Sequence, residues 1–145
     1  DDALAMAAYL QSLPTRAAKP VVPLTRVPES LLKQQRQRGP VVYAKHCASC
    51  HGENGQGQND SEGDVLALAG NRAVLSANPL NLIQVITHGG YPAGTAKNPR
   101  PLGMPPFRHT LTDADIAAVI SFIRGSWGND AAPVADRDIG RYFER

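Results

Sequence analysis

Five consecutive residues constrain this chain more than any others: Cys47-Ala-Ser-Cys-His51 reads C-x-x-C-H. This is the pattern by which c-type haem is attached. The two cysteines are roughly one helical turn apart, so both thiols can reach the vinyl groups on one edge of a porphyrin and form thioethers. The next residue, His51, can place its imidazole on the iron as an axial ligand. The motif therefore predicts one covalent haem, held by Cys47 and Cys50 and ligated by His51.

The cysteine pair has three other interpretations. A thioredoxin-like redox motif requires a βαβ context, which the sequence lacks. A structural zinc site requires four ligands, and the chain has neither a second Cys pair nor an HxxxH cluster. A simple disulfide between Cys47 and Cys50 stays open, although the following histidine favours haem.

Composition limits the class of protein. With 145 residues the chain is long enough for one ordinary domain. Its net charge of +2, without a long basic run, makes nucleic acid an unexpected partner, and no apolar stretch approaches the ~20 residues of a membrane span. Frequent glycine and proline, with little β-branched alternation, predict an all-α fold of short helices and long loops wrapped around one covalent haem. The chain shows no Ser/His/Asp set and no phosphate-binding glycine loop, so we expect no enzyme activity of its own.

The expected compartment follows from the attachment chemistry. Haem is joined to thiols in the periplasm or an equivalent oxidising compartment, which predicts export. No signal peptide is visible and the chain begins Asp1-Asp2, so we expect either a processed protein or a fragment.

The chain divides into three predicted parts. Residues 1–13 form a helix that Pro14 stops, residues 14–28 form a Pro-rich linker, and residues 29–145 form the haem-binding domain. Residues 2–10 share an acidic start and an aromatic-aliphatic end with residues 115–123. This similarity indicates that residues 1–13 are the last helix of a preceding domain of the same kind, although short alanine-rich helices also look alike by chance.

Within the domain, the sequence predicts helices that alternate with two long loops. Gly39-Pro40 is expected to break a helix, and the loops are glycine-rich at 51–64 and proline-rich at 88–111. Thr112 is expected to cap the clearest helix, which Gly125 ends. The predicted helices are 28–38, 40–47, 71–77, 79–88, 112–124 and 135–143.

A second iron ligand is expected in the proline-rich loop. Met104 lies in Leu102-Gly-Met-Pro-Pro-Phe107, where Gly103 allows close backbone approach and the two prolines stiffen the segment. The other methionine, Met6, lies far ahead of the haem motif. A lone methionine often only fills a core, but these neighbours favour a ligand. His46, His88 and His109 are the competing candidates.

These features resemble class I cytochromes c over residues 39–127. In that family a glycine and an aromatic residue on the first helix, here Gly39 and Tyr43, meet an aromatic residue on the last helix, here Phe122. A narrower resemblance is to the third domain of tri-haem cytochrome subunits of membrane-bound alcohol, gluconate, sorbitol and glucose dehydrogenases. Residues 43–57, 68–71, 81–83, 88–90, 104–107 and 126–129 carry it.

The narrower resemblance implies partners. Such subunits take electrons from a flavin or quinoprotein dehydrogenase subunit and pass them to ubiquinone, so we expect a dehydrogenase donor and a quinone or another cytochrome as acceptor. Only one C-x-x-C-H is present, and no C-terminal membrane-associating segment is evident. We therefore expect a fragment or a single-haem relative that reaches the membrane through partner subunits. Self-association through residues 1–13 is a further expectation.

The sequence leaves two functions open. The first is electron transfer by a haem with His/Met ligation, and the second is a haem with an open or labile sixth site, acting as a peroxidase or small-molecule sensor. Three residues are candidates for contact with the haem because they lie in loops and carry hydrogen-bond donors: Tyr91, Arg100 and Trp127.

Overall fold

The computed structural model describes residues 2–14, 24–59, 63–96 and 99–141. Helices dominate this part of the chain, and the strands are confined to one two-residue antiparallel pair, which confirms the all-α expectation. The elements, in chain order, are α1 Asp2–Ser12, α2 Glu29–His46, α3 Ala48–His51, β1 Gln58–Asn59, β2 Asp64–Val65, α4 Leu80–His88, α5 Asp113–Arg124 and α6 Asp136–Arg141.

The packing of α2 on α5 forms the centre of the fold. A Cβ on Gly39 would lie 2.6 Å from the carbonyl oxygen of Ala118 and 2.7 Å from Cβ of Phe122, so only glycine lets the helices come this close. One helical turn on, the ring of Tyr43 lies 5.4 Å from that of Phe122. The glycine and aromatic contacts that the resemblance implied are therefore present. The apolar stripe of α5 is buried, as the sequence predicted: Ile116, Val119, Ile120 and Ile123.

Helix α5 begins and ends as predicted. The hydroxyl of Thr112 accepts a hydrogen bond from the backbone N–H of Asp115, and the Asp115 carboxylate accepts one in return from the N–H of Thr112. This reciprocal capping box satisfies two backbone donors that the first helical turn leaves without a partner. Gly125 is the C-terminal cap.

The predicted helix break at Gly39-Pro40 is wrong, because α2 continues through Pro40. A proline inside a helix removes one backbone hydrogen bond, here to the carbonyl of Arg36, at a cost of about 3 kcal/mol. Arg36 and Pro40 are both exposed, so water can reach that carbonyl. The opposite face of the same turn packs on α5 through Gly39, Val42 and Tyr43, and this packing offsets the loss.

The predicted helix at 71–77 is also wrong, because this segment forms a turn. The side-chain amide of Asn71 donates to the carbonyl of Ala67, and its oxygen accepts from the N–H of Ala73. An asparagine that bonds nearby backbone in this way competes with helix formation. The neighbouring prediction of 79–88 is confirmed as α4, and that of 135–143 as α6 over its described residues.

Part of the predicted linker belongs to the packed domain. The buried carboxylate of Asp138 accepts hydrogen bonds from the N–H and hydroxyl of Thr25, at 3.0 and 2.9 Å. Leu24 packs against the core and Val27 is buried. The packed chain therefore includes residues 24–28, ahead of the expected start at residue 29.

Helix α1 contributes nothing to that core. Every described residue of it is exposed, including Leu4, Tyr9 and Leu10, each about two thirds exposed or more. Among the described residues, no helix combines the length and the apolar character that a membrane crossing requires. Helix α1 is thus a short apolar segment without burial in this chain.

Candidate functional site

A cavity of about 660 Å³ opens between the end of α2, the β1–β2 region and the loop that follows α4. Its volume is typical of small-molecule and cofactor sites. Its lining is mainly apolar and brings together all four residues predicted to hold a haem: Cys47, Cys50, His51 and Met104. These residues come from two segments more than fifty positions apart in sequence, so the fold, rather than sequence proximity, assembles the set.

The junction between α2 and α3 presents the C-x-x-C-H motif. Helix α2 ends at His46, Cys47 leaves the helical conformation at ψ −37 and φ −123, and its N–H still donates to the carbonyl of Tyr43. Cys47 is half-buried against the core, whereas Cys50 is exposed. Burial, with a smaller contribution from the charge of Cys50, raises the pKa of the Cys47 thiol to about 11.

Tyr43 supports this junction from behind. Its hydroxyl donates to the carbonyl of Gly52 at 2.6 Å, just after the motif ends. Burial, then the charge of Cys47, raises the pKa of Tyr43 to about 12, against a lowering contribution from a backbone hydrogen bond at Gly55. The hydroxyl therefore stays protonated near neutral pH and keeps donating.

The imidazole of His51 is oriented by a backbone carbonyl. Its Nδ1 lies 3.3 Å from the carbonyl oxygen of Leu66, and because a carbonyl can only accept, Nδ1 carries the proton. Nε2 is then the nitrogen with a lone pair for a metal, the arrangement usual for ligating histidines. Burial lowers the pKa of His51, with a smaller opposing effect of the Leu66 carbonyl, and this favours the neutral form that binds metals.

Asn129 fixes the segment that carries the Leu66 carbonyl. Its side-chain oxygen accepts from the N–H of Gly70 at 2.9 Å, and its amide donates to the carbonyl of Leu68 at 3.1 Å. The same amide donates to Ile123, at the end of α5, at 2.8 Å. Asn129 is 5% exposed. A buried, fully engaged amide thus ties the 66–70 segment to the central helix.

Met104 is held in place by two backbone hydrogen bonds. Its N–H donates to the carbonyl of Gly90 at 2.8 Å, and its carbonyl accepts from the N–H of Gly90 at 3.0 Å. A Cβ on Gly103 would lie 2.5 Å from the ring of Tyr91, so the close approach expected at Gly103 is present. The N–H of Leu102 donates to the carbonyl of Asp64, which anchors the loop a second time.

The three residues predicted to surround the haem lie in different parts of the structure. Tyr91 is 90% exposed and lines the cavity mouth. Arg100 contributes backbone bonds to Asp64 and is outside the described cavity lining. Trp127 packs behind the motif, with its ring 4.9 Å from that of Tyr43 and 5.3 Å from that of Phe122.

The three competing histidines are separated by the fold. His46 lines the cavity, with its ring edge-on to that of Phe107 at 6.1 Å. His88 and His109 are exposed. Of the three, only His46 joins the predicted ligands in the described lining of this cavity.

Sequence reasoning missed several lining residues. Phe107 stands out only as an aromatic residue in a proline-rich loop, and Val85 only as part of the apolar pattern of α4. Leu66 acts on His51 through its backbone carbonyl, and the identity of a side chain cannot predict such a contact. Asn129 was singled out only as part of a matching motif.

Comparison with known proteins gives the family. The sequence profile of cytochrome c matches residues 37–127. The chain is 35% identical over 134 residues to the cytochrome c subunit of a quinone alcohol dehydrogenase from Gluconobacter oxydans (strain 621H), covering 90% of this chain and 27% of that subunit. It is 34% identical over 143 residues to the gluconate 2-dehydrogenase cytochrome c subunit of Pantoea cypripedii, covering 96% of this chain and 32% of the relative.

This chain belongs to the cytochrome c family. Membership implies a covalently bound haem c and a role in electron transfer. The chain spans about a third or less of the length of these two relatives. The donor set fits such a group, because two thiols, an imidazole whose Nδ1 is held by a backbone carbonyl, and a thioether line one mainly apolar cavity.

Proposed function

We propose that this chain transfers electrons through one covalent haem c and has no substrate of its own. Cys47 and Cys50 would form the two thioether links to the haem, and His51 and Met104 would ligate its iron. The convergence of these four side chains on one cavity is the observation that carries the proposal. When bound, the haem supplies a one-electron couple.

The residues around the site act by holding both ligands still. The Leu66 carbonyl fixes the ring of His51, and the paired bonds to Gly90 fix the backbone of Met104. Two fixed ligands keep the geometry similar in both oxidation states, so little of the protein rearranges when an electron moves. A thioether ligand also raises the reduction potential relative to more basic ligand pairs.

The partners follow from the relatives. Proteins named as cytochrome subunits of alcohol, gluconate and fructose dehydrogenases match this chain. We infer a dehydrogenase subunit as electron donor and a quinone or another cytochrome as acceptor. The protein would act in the periplasm and would associate with the membrane through its partner subunits.

The domain organisation belongs to the same proposal. The haem domain comprises residues 29–145 together with the packed residues 24–28, and α1 is the closing helix of a preceding domain of the same kind. The sequence similarity of α1 to α5 and the complete exposure of its apolar residues support this. The chain is accordingly a fragment of a multi-haem subunit or a relative that kept this helix.

Binding of external ligands tests the proposal. A six-coordinate iron with both protein ligands in place should bind carbon monoxide (reduced) and cyanide (oxidised) slowly and weakly, because each must displace Met104. The measurement is an optical titration of the purified holoprotein. Rapid, tight binding of either ligand would instead support the peroxidase or sensor function with an open sixth site.

A further inference from the structure

The carbonyl group that orients His51 is not held by its own side chain. Nδ1 of His51 lies 3.3 Å from the carbonyl oxygen of Leu66, but the Leu66 side chain is 60% exposed and adds little packing to its own peptide group. The position of that oxygen therefore depends on the chain on either side of Leu66. The same chain sets the strength of the hydrogen bond to His51, because hydrogen bonds weaken steeply when their geometry is distorted.

On one side, the Leu66 peptide lies against the backbone of Gly57. A Cβ on Gly57 would lie 2.9 Å from the carbonyl carbon of Leu66 and 2.8 Å from the nitrogen of Ala67, so a residue without a side chain is needed at this crossing. The N–H of Gly57 donates to the carbonyl of His51 at 2.9 Å. This contact limits the approach of the Leu66 peptide to the haem motif, but it offers no support from the other side.

That second support comes from Asn129, which bridges the chain after Leu66 to the end of α5. Its Oδ1 accepts from the N–H of Gly70 at 2.9 Å, and its Nδ2 donates to the carbonyl of Ile123 at 2.8 Å. Nδ2 also donates to the carbonyl of Leu68 at 3.1 Å. Asn129 is 5% exposed, so these bonds are shielded from water.

Two other sets of hydrogen bonds shape the same stretch of chain without joining it to a helix. The carbonyl of Gly55 accepts from two of its N–H groups, but Gly55 belongs to the loop that follows the motif. The side chain of Asn71 bonds backbone groups within residues 67–73. Asn129 thus provides a side-chain bridge from residues 68–70 to the central helix.

We propose that Asn129 is a positioning residue for the haem ligand His51 and that it tunes the reduction potential through the Leu66 carbonyl. This inference rests on the proposed electron-transfer function. A hydrogen bond from Nδ1 to a fixed acceptor makes the ligating ring more basic. A more basic ligand favours the oxidised metal and lowers the reduction potential. Without Asn129 the Leu66 oxygen loses its alignment, the bond to Nδ1 weakens, and the potential rises.

The sign of this shift separates positioning from a merely structural role. Loss of a buried residue that only supports packing loosens the domain and lets water approach the haem. Water stabilises the more highly charged oxidised state, so it lowers the reduction potential. Loss of alignment at Leu66 shifts the potential in the opposite direction.

The test variant is Asn129→Leu, which places an uncharged side chain of similar size at this position and removes all three hydrogen bonds. Asn129→Ser is a milder second variant, because its hydroxyl can still donate to one carbonyl. Gln35→Leu is the matched control. Gln35 is also 5% exposed and its amide donates to the carbonyl of Val134 at 2.9 Å, but it lies about 18 Å before Cys47 along α2.

Two measurements on the holoprotein compare these variants. NMR of the reduced state follows the exchange of the His51 Nδ1 proton with solvent, and a mediated redox titration gives the ratio of reduced to oxidised haem at a fixed applied potential. Asn129→Leu should speed the exchange at least about tenfold and raise the ratio at least about threefold. Asn129→Ser should shift both quantities in the same direction by less, and Gln35→Leu should leave both near wild type.

An unchanged or lowered ratio in the Asn129 variants, or unchanged exchange of the Nδ1 proton, would overturn the proposal and leave Asn129 a structural residue. Equal shifts in Gln35→Leu would also overturn it, because any buried amide would then have the same effect. If Asn129→Leu does not retain haem, Asn129→Ser decides by the same criteria. A wild-type spectrum without low-spin His/Met features would instead overturn the proposed function itself, so the two failures are distinguishable.

Discussion

Asp115 links capping, charge and pH in the first turn of α5. Burial raises the pKa of its carboxyl, but hydrogen bonds from Arg38 and Thr112 outweigh this effect, and the pKa lies below its usual value. The folded chain thus stabilises the charged form of this carboxyl more than the unfolded chain does. Its contribution to stability is complete above the unfolded pKa of ~4 and is lost as the pH falls through the lower folded pKa.

The variant Asp115→Ala should therefore lower the free energy of unfolding at neutral pH by about 0.5–2 kcal/mol, the usual range for a lost cap. Asp113→Ala is the matched control, since it removes an acid from the same turn but not from the capping box. Urea unfolding of the holoprotein at a series of pH values measures both. If the difference in free energy of unfolding between the wild type and Asp115→Ala persists unchanged well below pH 4, this account of the carboxylate is wrong.

At the scale of elements, the contact between α2 and α5 decides whether the domain forms. Gly39→Ala should destabilise the holoprotein by about 1–3 kcal/mol, because the new methyl meets the backbone of α5. Without that contact, replacing a glycine inside a helix by alanine would stabilise the protein by up to about 1 kcal/mol. Gly125→Ala is the control, since its Cβ would meet the Ser121 carbonyl oxygen at an ordinary 3.4 Å.

Thermal unfolding, followed by helical circular dichroism, compares these two variants. The Gly39→Ala midpoint should fall by several degrees and that of Gly125→Ala should stay near wild type. If both midpoints fall alike, the close approach of the helices does not limit stability.

Helix α1 should be dispensable for the haem site. Isolated helices of this length are marginal in water, and its apolar residues are exposed here. Deletion of residues 1–20 should leave the optical spectrum and reduction potential of the haem unchanged and should reduce any self-association seen by analytical ultracentrifugation. Loss of haem from the truncated protein would assign α1 to this domain's own core instead.

At the scale of the whole molecule, local signals predicted the fold class and the strongest elements. The capping residues and stripe of α5, the apolar pattern of α4 and the Gly39–Tyr43 spacing are short-range features, and the structure confirms the elements they predict. The four predicted haem residues line one cavity. The signals that predict the individual elements suffice because a motif and a periodic pattern each act within a few residues of themselves.

Two of the three errors arose where long-range packing outweighs local preference. Proline normally breaks a helix, but Pro40 lies on the solvent-facing side of α2, and the other face of this helix packs on α5. The Asn71 turn depends on side-chain bonds that compete with a helix. The docking of Thr25 on Asp138 joins residues 113 positions apart, which no local pattern reports.

The Met–iron charge-transfer band tests the central claim most directly, because it requires a thioether on the iron. The holoprotein should show this band in its oxidised state, Met104→Ala should lose it and fall in reduction potential, and Met6→Ala, which removes the exposed methionine of α1, should keep both. Persistence of the band in Met104→Ala, or its loss in Met6→Ala, would contradict the assignment of Met104 as the second axial ligand.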